Sequence, residues 1–310
     1  MSAASGNTAI ATTAIVDTGY VGRFAPSPTG SLHFGSLVAA VGSFLDARHR
    51  AGRWLVRMED LDSARVVPGS DSEILRTLES FGLLWDGEVE YQSRHTERYV
   101  KSLEALAERG LTFQCSCSRR ELGITGDRGY PGTCRQGPTR PGPTAIRFRV
   151  PDITVSFEDR AQGCREFDLR ALGDVVIRRR DGVFAYQLAV VVDDAAQSVS
   201  DIIRGCDLLE STGWQIALQR ALRFPAVSYL HLPLVVDASS EKLSKTRRSL
   251  ALDPEMASTQ LAVALQALQH SPPAELEHAS PRALLEWACH AWDPKRLRHV
   301  TVVTDDTRCV

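Results

Sequence analysis

Tyr20-Val21-Gly22-Arg23-Phe24-Ala25-Pro26-Ser27-Pro28-Thr29-Gly30-Ser31-Leu32-His33-Phe34-Gly35-Ser36 is the stretch on which the reading of this chain turns. Its first six residues have the character of a buried strand, and the turn Pro26 to Gly30 is too rich in proline to continue it. From Ser31 onward, Leu32, Leu37, Val38, Val41, Phe44 and Leu45 recur at helical spacing, and Arg48-His49-Arg50 places basic side chains where a helix C-terminus favours them. Trp54-Leu55-Val56-Arg57-Met58 then reads as a second strand. Strand, helix and strand in that order form the unit of a parallel α/β sheet, which collects ligands at the carboxyl ends of its strands. The turn also sets His33 at a helix N-terminus, where backbone amides and the helix dipole favour an anion, and Gly35 lets a ligand approach the backbone. Taken alone, such a turn is equally a plain punctuation mark before a helix.

Further along, helices are expected at Ser70 to Phe81 and His95 to Arg109, after which composition changes to Cys, Gly, Pro and Arg between Cys115 and Pro143. Ile146 to Val150, Val175 to Arg178 and Phe184 to Val192 read as strands, and Ile202-Ile203-Arg204-Gly205 leads into a helix near Ser211. Helical periodicity returns at Gln260 to Gln269 and Pro281 to Trp292. Between these, Lys242-Leu243-Ser244-Lys245-Thr246 puts two lysines around a serine on a loop, suited to neutralising a triphosphate as pyrophosphate leaves, or simply to lying exposed in water.

With 310 residues, 43% of them hydrophobic, the chain can bury a sizeable core and suggests about two domains. Its 36 basic and 38 acidic residues give a net charge of −2, so contact with RNA would rely on local patches such as Arg119-Arg120, Arg178-Arg179-Arg180, and Lys245 with Arg247-Arg248. Residues 1–18 lack the basic and apolar regions of a secretory signal and read as a disordered lead-in. No apolar run is long enough to span a membrane, and a cytoplasmic protein is expected. Seven cysteines in such a protein suggest metal binding before disulfides. Cys115, Cys117 and Cys134, with Tyr130 close by, offer three thiols and a phenol for a tetrahedral zinc ion; the alternative is three buried or free cysteines beside a core tyrosine. Cys164, Cys206, Cys289 and Cys309 are isolated and read as small hydrophobes.

The pairing of Pro26 to Ser36 with Lys242 to Thr246, in that order and widely separated, resembles the nucleotide-binding turn and lysine loop of class I aminoacyl-tRNA synthetases. Gly22 to Ser27, Arg57-Met58-Glu59-Asp60-Leu61-Asp62, Val192-Asp193-Asp194 and Ile203-Arg204-Gly205 resemble the glutamyl branch. After Thr246 only 64 of the 310 residues remain, too few for an anticodon-reading region. In this the chain is similar to the shortened glutamyl-queuosine tRNA(Asp) synthetase family, which attaches glutamate to queuosine in the anticodon loop of tRNA(Asp). The resemblance implies an α/β fold with a Rossmann-type parallel-sheet domain in two halves, 19–108 and 187–250. These would flank an inserted zinc-bearing, acceptor-type domain at 109–186 and precede a small helical stem-contact domain at 251–310.

The resemblance further implies that Pro26, Gly30, His33, Gly35, Ser36 and Lys242, Leu243, Ser244, Lys245, Thr246 bind ATP with Mg2+, His33 and Lys245 being catalytic. Arg23 and Tyr186 would contact the side-chain carboxylate of glutamate, Arg204 its α-carboxylate, and Ser27 with Glu59 its amino group, Ala25 lining the same site. Ser36 stands where the class usually has a second histidine. Cys115, Cys117, Tyr130 and Cys134 would hold a structural zinc, and a monomer engaging the tRNA(Asp) anticodon arm is expected. Two other readings stay open at this point: a truncated conventional glutamyl-tRNA synthetase charging a tRNA 3′ end, and a non-catalytic zinc-bearing RNA-binding module.

Overall fold

The computed structural model describes residues 19–118, 121–122, 129–236, 252–276 and 278–304. Strand β1 (Val21–Phe24) is buried at all four residues, as a strand covered on both faces must be, and it pairs in parallel with β2 (Arg53–Met58). The crossover between them is α1 (Phe34–His49), which ends on Arg48 and His49 as its dipole favours. After α2 (Ser70–Ser80), β3 (Glu90–Tyr91) pairs in parallel with the end of β2.

The chain then leaves this sheet through α3 (Thr96–Glu108). The strands β4 (Thr112–Cys115), β5 (Ala145–Phe148) and β8 (Val175–Arg178) form a separate antiparallel sheet in the order β4-β5-β8. Between β5 and β8 lies the hairpin β6 (Thr154–Asp159) and β7 (Gly163–Asp168), followed by the single turn α4 (Leu169–Leu172). Helix α5 (Tyr186–Ala196) leads back to β9 (Asp201–Gly205), α6 (Ser211–Leu222) and β10 (Ser228–Leu232), and β10 pairs in parallel with β9 and bridges β6 at Tyr229 and Asp159. Ser200 joins the two parallel sheets: its N–H donates to the Val21 carbonyl and its Oγ accepts from the Val21 N–H. Strands therefore run in the order β3-β2-β1, then β9-β10-β6-β7, and the direction of winding reverses between β1 and β9. A crevice forms at such a reversal, outside the carboxyl ends of the strands.

Two hydrophobic clusters flank the sheet. One joins α1 to Trp54, Val56 and Met58 of β2 and to the C-terminal helices α7 (Ala257–Ala267) and α8 (Pro281–Ala291), whose Leu261, Leu265, Leu284 and Leu285 are buried against it. The other joins α3, α5 and α6 to β5 and β8. Segments 109–186 and 252–304 thus share their cores with the parallel-sheet unit. The tie is also polar: buried Asp46 of α1 accepts from Tyr20 Oη at 2.6 Å, from both Nη of Arg160 at 2.7 and 2.6 Å, and from Trp292 Nε1 at 2.9 Å.

The expected strand at Phe184 to Val192 is instead α5. Leu188 to Asp194 are all buried there, and a short apolar run buried on every side carries no period that separates strand from helix. The hairpin β6–β7, strand β10 and the parallel pair of β11 (Leu234–Val236) with β12 (Val302–Thr304) also go beyond the expected elements. Among the described residues, no helix is long and apolar enough to cross a membrane.

Candidate active site

A cleft of about 990 Å³ opens at the reversal point between β1 and β9, roofed by the turn before α1. Arg23, Ala25, Pro26, Ser27, Gly30, His33, Gly35, Ser36, Glu59, Tyr186 and Arg204, drawn from four separate stretches of sequence, all line it. The lysine loop Lys242 to Thr246 lies outside the described residues. Three more lining residues had no place in the sequence reading, namely Ala39, Arg65 and Leu208.

The turn before α1 is built by local capping. His33 is the N-cap of α1: its extended backbone starts the helix, and Nδ1 accepts from the Ser36 N–H at 3.1 Å. Nε2 then carries the ring proton and meets Ser36 Oγ at 3.1 Å, so the two side chains that face the cleft here form one unit. A Cβ at position 35 would stand 3.1 Å from His33 Cε1, so glycine makes the room that lets the imidazole fold back on its own helix. Gly30, at φ 139°, adopts backbone that other residues rarely reach.

Beneath the turn lies a buried cluster of charge. Arg23 sits on β1 with Nε 3.0 Å and Nη2 3.3 Å from the Asp194 carboxylate; Nη1 has no partner among the described residues. Arg57, fully buried on β2, reaches Asp194 at 2.8 Å, Gln197 at 2.6 Å and Glu59 at 3.4 Å. Burial works against the Asp194 carboxylate, but Arg23 and Arg57 together hold it below the usual range. For Glu59, burial prevails over Arg57 and Arg23 and pushes the carboxyl up to about 7.

Arg204, on β9 and 5% exposed, is held differently. Its three nitrogens donate to His231 Nε2 at 3.1 Å, Tyr186 Oη at 3.3 Å and Thr212 Oγ1 at 2.8 Å. Among the described residues no carboxylate lies within ion-pair distance of it, neither Asp201 nor Asp207 included. A buried guanidinium surrounded only by neutral partners at the wall of a cleft is a site for an anion.

The second constellation lies at the end of β4. Cys117 and Cys134 Sγ are 3.5 Å apart, and Tyr130 Oη lies 3.5 Å from Cys115 Sγ and 3.7 Å from Cys117 Sγ. A tetrahedron with metal–sulfur bonds of about 2.3 Å has edges of roughly 3.8 Å, so the four donors are spaced as ligands of one ion. Burial raises the Cys134 thiol, yet hydrogen bonds from Ser116, Thr139 and Tyr130 bring it down to about 5, in the thiolate form that a metal requires. Arg180 and Arg140 both donate to the Ser116 carbonyl between the first two cysteines, and the Arg147 guanidinium stands 3.9 Å over the Tyr130 ring. These cations offset the negative charge of a thiolate cluster, which could hold a metal ion.

Residues 20–260 match the family described as tRNA synthetases class I (E and Q), catalytic domain. The chain belongs to that family. It is 50% identical over 284 residues to the glutamyl-Q tRNA(Asp) synthetase of Ectopseudomonas mendocina, covering 91% of this chain and 96% of that one. The glutamyl-Q tRNA(Asp) synthetase of Pseudomonas aeruginosa strain PAO1 is also 50% identical, over 93% of this chain and 98% of its own. In fold, the synthetase is similar to a glutamate tRNA ligase from Elizabethkingia meningosepticum, crystallised with its amino acid, at a TM-score of 0.75 and 24% identity. That likeness covers 92% of this chain and 66% of the ligase, so the chain spans about two thirds of the longer enzyme. The synthetase is therefore a ligase-type enzyme with a class I α/β fold.

Proposed function

We propose that the enzyme uses ATP to activate glutamate as glutamyl-adenylate without tRNA, and then transfers the glutamyl group to queuosine in the anticodon loop of tRNA(Asp). The observation that carries the first half is Arg204, a buried cation with no carboxylate partner among the described residues, facing the same cleft as Glu59 and the N-terminus of α1. Glutamate presents two carboxylates and one ammonium group. Arg204 would take the α-carboxylate, Glu59 and Ser27 the ammonium, and the Nη1 of Arg23, together with Tyr186, the side-chain carboxylate. A neutral glutamine amide would bring Arg23 no charge to pair with, which disfavours that substrate. The α-carboxylate so held attacks the α-phosphorus of ATP in line, an oxygen–phosphorus bond forms, and pyrophosphate departs. His33, Ser36 and the first turn of α1 would orient the phosphates, while Lys245, with Lys242, would neutralise the charge that develops on the leaving group. A hydroxyl of queuosine then attacks the activated carbonyl carbon, its proton is released and AMP leaves.

The support for queuosine as acceptor is the similarity to glutamyl-Q tRNA(Asp) synthetases over nearly their whole length. Segments 109–186 and 251–310 would supply the RNA contacts, through arginines rather than through overall charge. The donor set Cys115, Cys117, Tyr130 and Cys134 fits zinc, whose contribution would be to tie β4 to the following loop. The test is ATP–pyrophosphate exchange by purified enzyme with glutamate and no RNA. Exchange that depends on glutamate supports the proposal; exchange that appears only when tRNA is added refutes tRNA-independent activation.

A further inference from the structure

Two of the three side chains that hold Arg204, His231 and Thr212, do not line the cleft. Because β9 and β10 run in parallel register with Arg204 opposite His231, the two side chains emerge side by side on one face of the sheet. Tyr229, two residues before His231, shares that face: its ring stacks on the imidazole at 6.1 Å and lies 5.6 Å beneath the guanidinium. His231 and Asp159 are both fully buried and 2.6 Å apart, Nδ1 to Oδ2.

Hydrogen-bond bookkeeping settles which ring nitrogen bears the proton. Asp159 Oδ1 accepts from the backbone N–H groups of Ala161 at 3.0 Å, Gln162 at 2.8 Å and His231 at 3.2 Å, which fixes the carboxylate and leaves Oδ2 to accept from the imidazole. Nδ1 is therefore protonated. Nε2 is left as an acceptor, and it receives the Arg204 Nε–H at 3.1 Å. Burial pushes the imidazole down against the pull of Asp159, which keeps the ring neutral. Thr212 on α6 supports the other side of the guanidinium.

We propose that Asp159 and His231 form a positioning relay that aims Arg204 at the α-carboxylate of glutamate. The proposal rests on the reading of Arg204 given above. Neither residue touches substrate. Asp159 selects the tautomer, and the tautomer decides whether Arg204 finds an acceptor or a second donor behind it. The arrangement keeps the positive charge of Arg204 available for the ligand, because the imidazole it touches is neutral and the Asp159 carboxylate stands one ring further back.

Asp159→Asn tests this with almost no change of shape. The three backbone N–H groups demand that the amide oxygen stay where Oδ1 is, so the amide NH2 faces Nδ1 and the imidazole proton moves to Nε2, against Arg204. The expected result is a rise of about tenfold in the KM for glutamate, the scale of one lost hydrogen bond to a charged group, with the KM for ATP unchanged. In an Arg204→Ala background, Asp159→Asn should raise the glutamate KM no further, since the relay acts only through Arg204. His231→Phe, which removes the acceptor without altering Asp159, should give the same split if Asp159→Asn does not fold. His231→Gln, whose amide oxygen can still accept from Arg204, should stay near wild type. An unchanged glutamate KM in Asp159→Asn or His231→Phe, or an equal rise with and without Arg204, overturns the relay. If Arg204→Ala itself leaves the glutamate KM unchanged, Arg204 is not in the glutamate site and the reading beneath the relay fails as well.

Discussion

Glu59→Gln separates what the fold favours from what the chemistry needs. In the unfolded chain this carboxyl has its ordinary pKa of 4.5, and in the folded protein burial raises it to about 7. A raised carboxyl stabilises the fold fully only below the unfolded pKa, and that stability is lost as pH rises through the folded pKa. Applied to a shift from 4.5 to about 7, linkage makes the loss on the order of 2–3 kcal/mol between pH 5 and pH 8. Glutamine has nothing to titrate, so the variant should gain on the wild type by that amount over the interval, roughly 5 °C in Tm for a chain of this size. Thermal unfolding of both proteins at pH 5 and pH 8 measures it directly. The same substitution should raise the glutamate KM about 10- to 100-fold by removing the anion that meets the ammonium group. In the wild type, kcat/KM for glutamate should rise with pH through about 7 as Glu59 ionises. A Tm difference that is the same at both pH values would show that Glu59 is not the perturbed group, and an unchanged KM would remove it from ammonium recognition.

Lys245→Ala should slow glutamate-dependent pyrophosphate exchange about 100-fold while glutamate binding, measured by calorimetry, stays as it was, since one oriented cation at a developing phosphate charge contributes about 3 kcal/mol; wild-type exchange would remove Lys245 from the reaction. Freshly purified protein should contain one zinc per chain, and Cys134→Ser should lose it and lower the Tm. Metal analysis finding no zinc in unchelated wild-type protein would refute the assignment.

Much of the cleft was legible in the sequence because its parts are local. A proline-rich turn between strand and helix places Pro26 to Ser36 by itself, and charges set inside apolar runs, such as Arg57 in Trp54 to Met58 or Asp193-Asp194 after Val190 to Val192, are signs of a buried network. Asp194 and Arg57 nevertheless escaped as site residues, because their partners come from distant strands and only the assembled sheet shows them meeting. The Asp159–His231 pair had still less signal. His231 lies in an apolar run where a lone histidine reads as core, and Asp159 sits in a hairpin that was not expected at all. Helix α5 was misread for a related reason: burial on all sides erases the polar face that gives a helix its period.

The central claim concerns the acceptor, and one measurement bears on it directly: transfer of labelled glutamate to tRNA(Asp) whose 3′ end has been removed enzymatically, prepared with and without queuosine. The account predicts that the trimmed, queuosine-containing tRNA accepts glutamate as well as the full-length one, and that tRNA(Asp) lacking queuosine accepts none. If trimming abolishes acceptance while full-length tRNA(Glu) is charged, the enzyme is a shortened conventional synthetase and the proposal is contradicted.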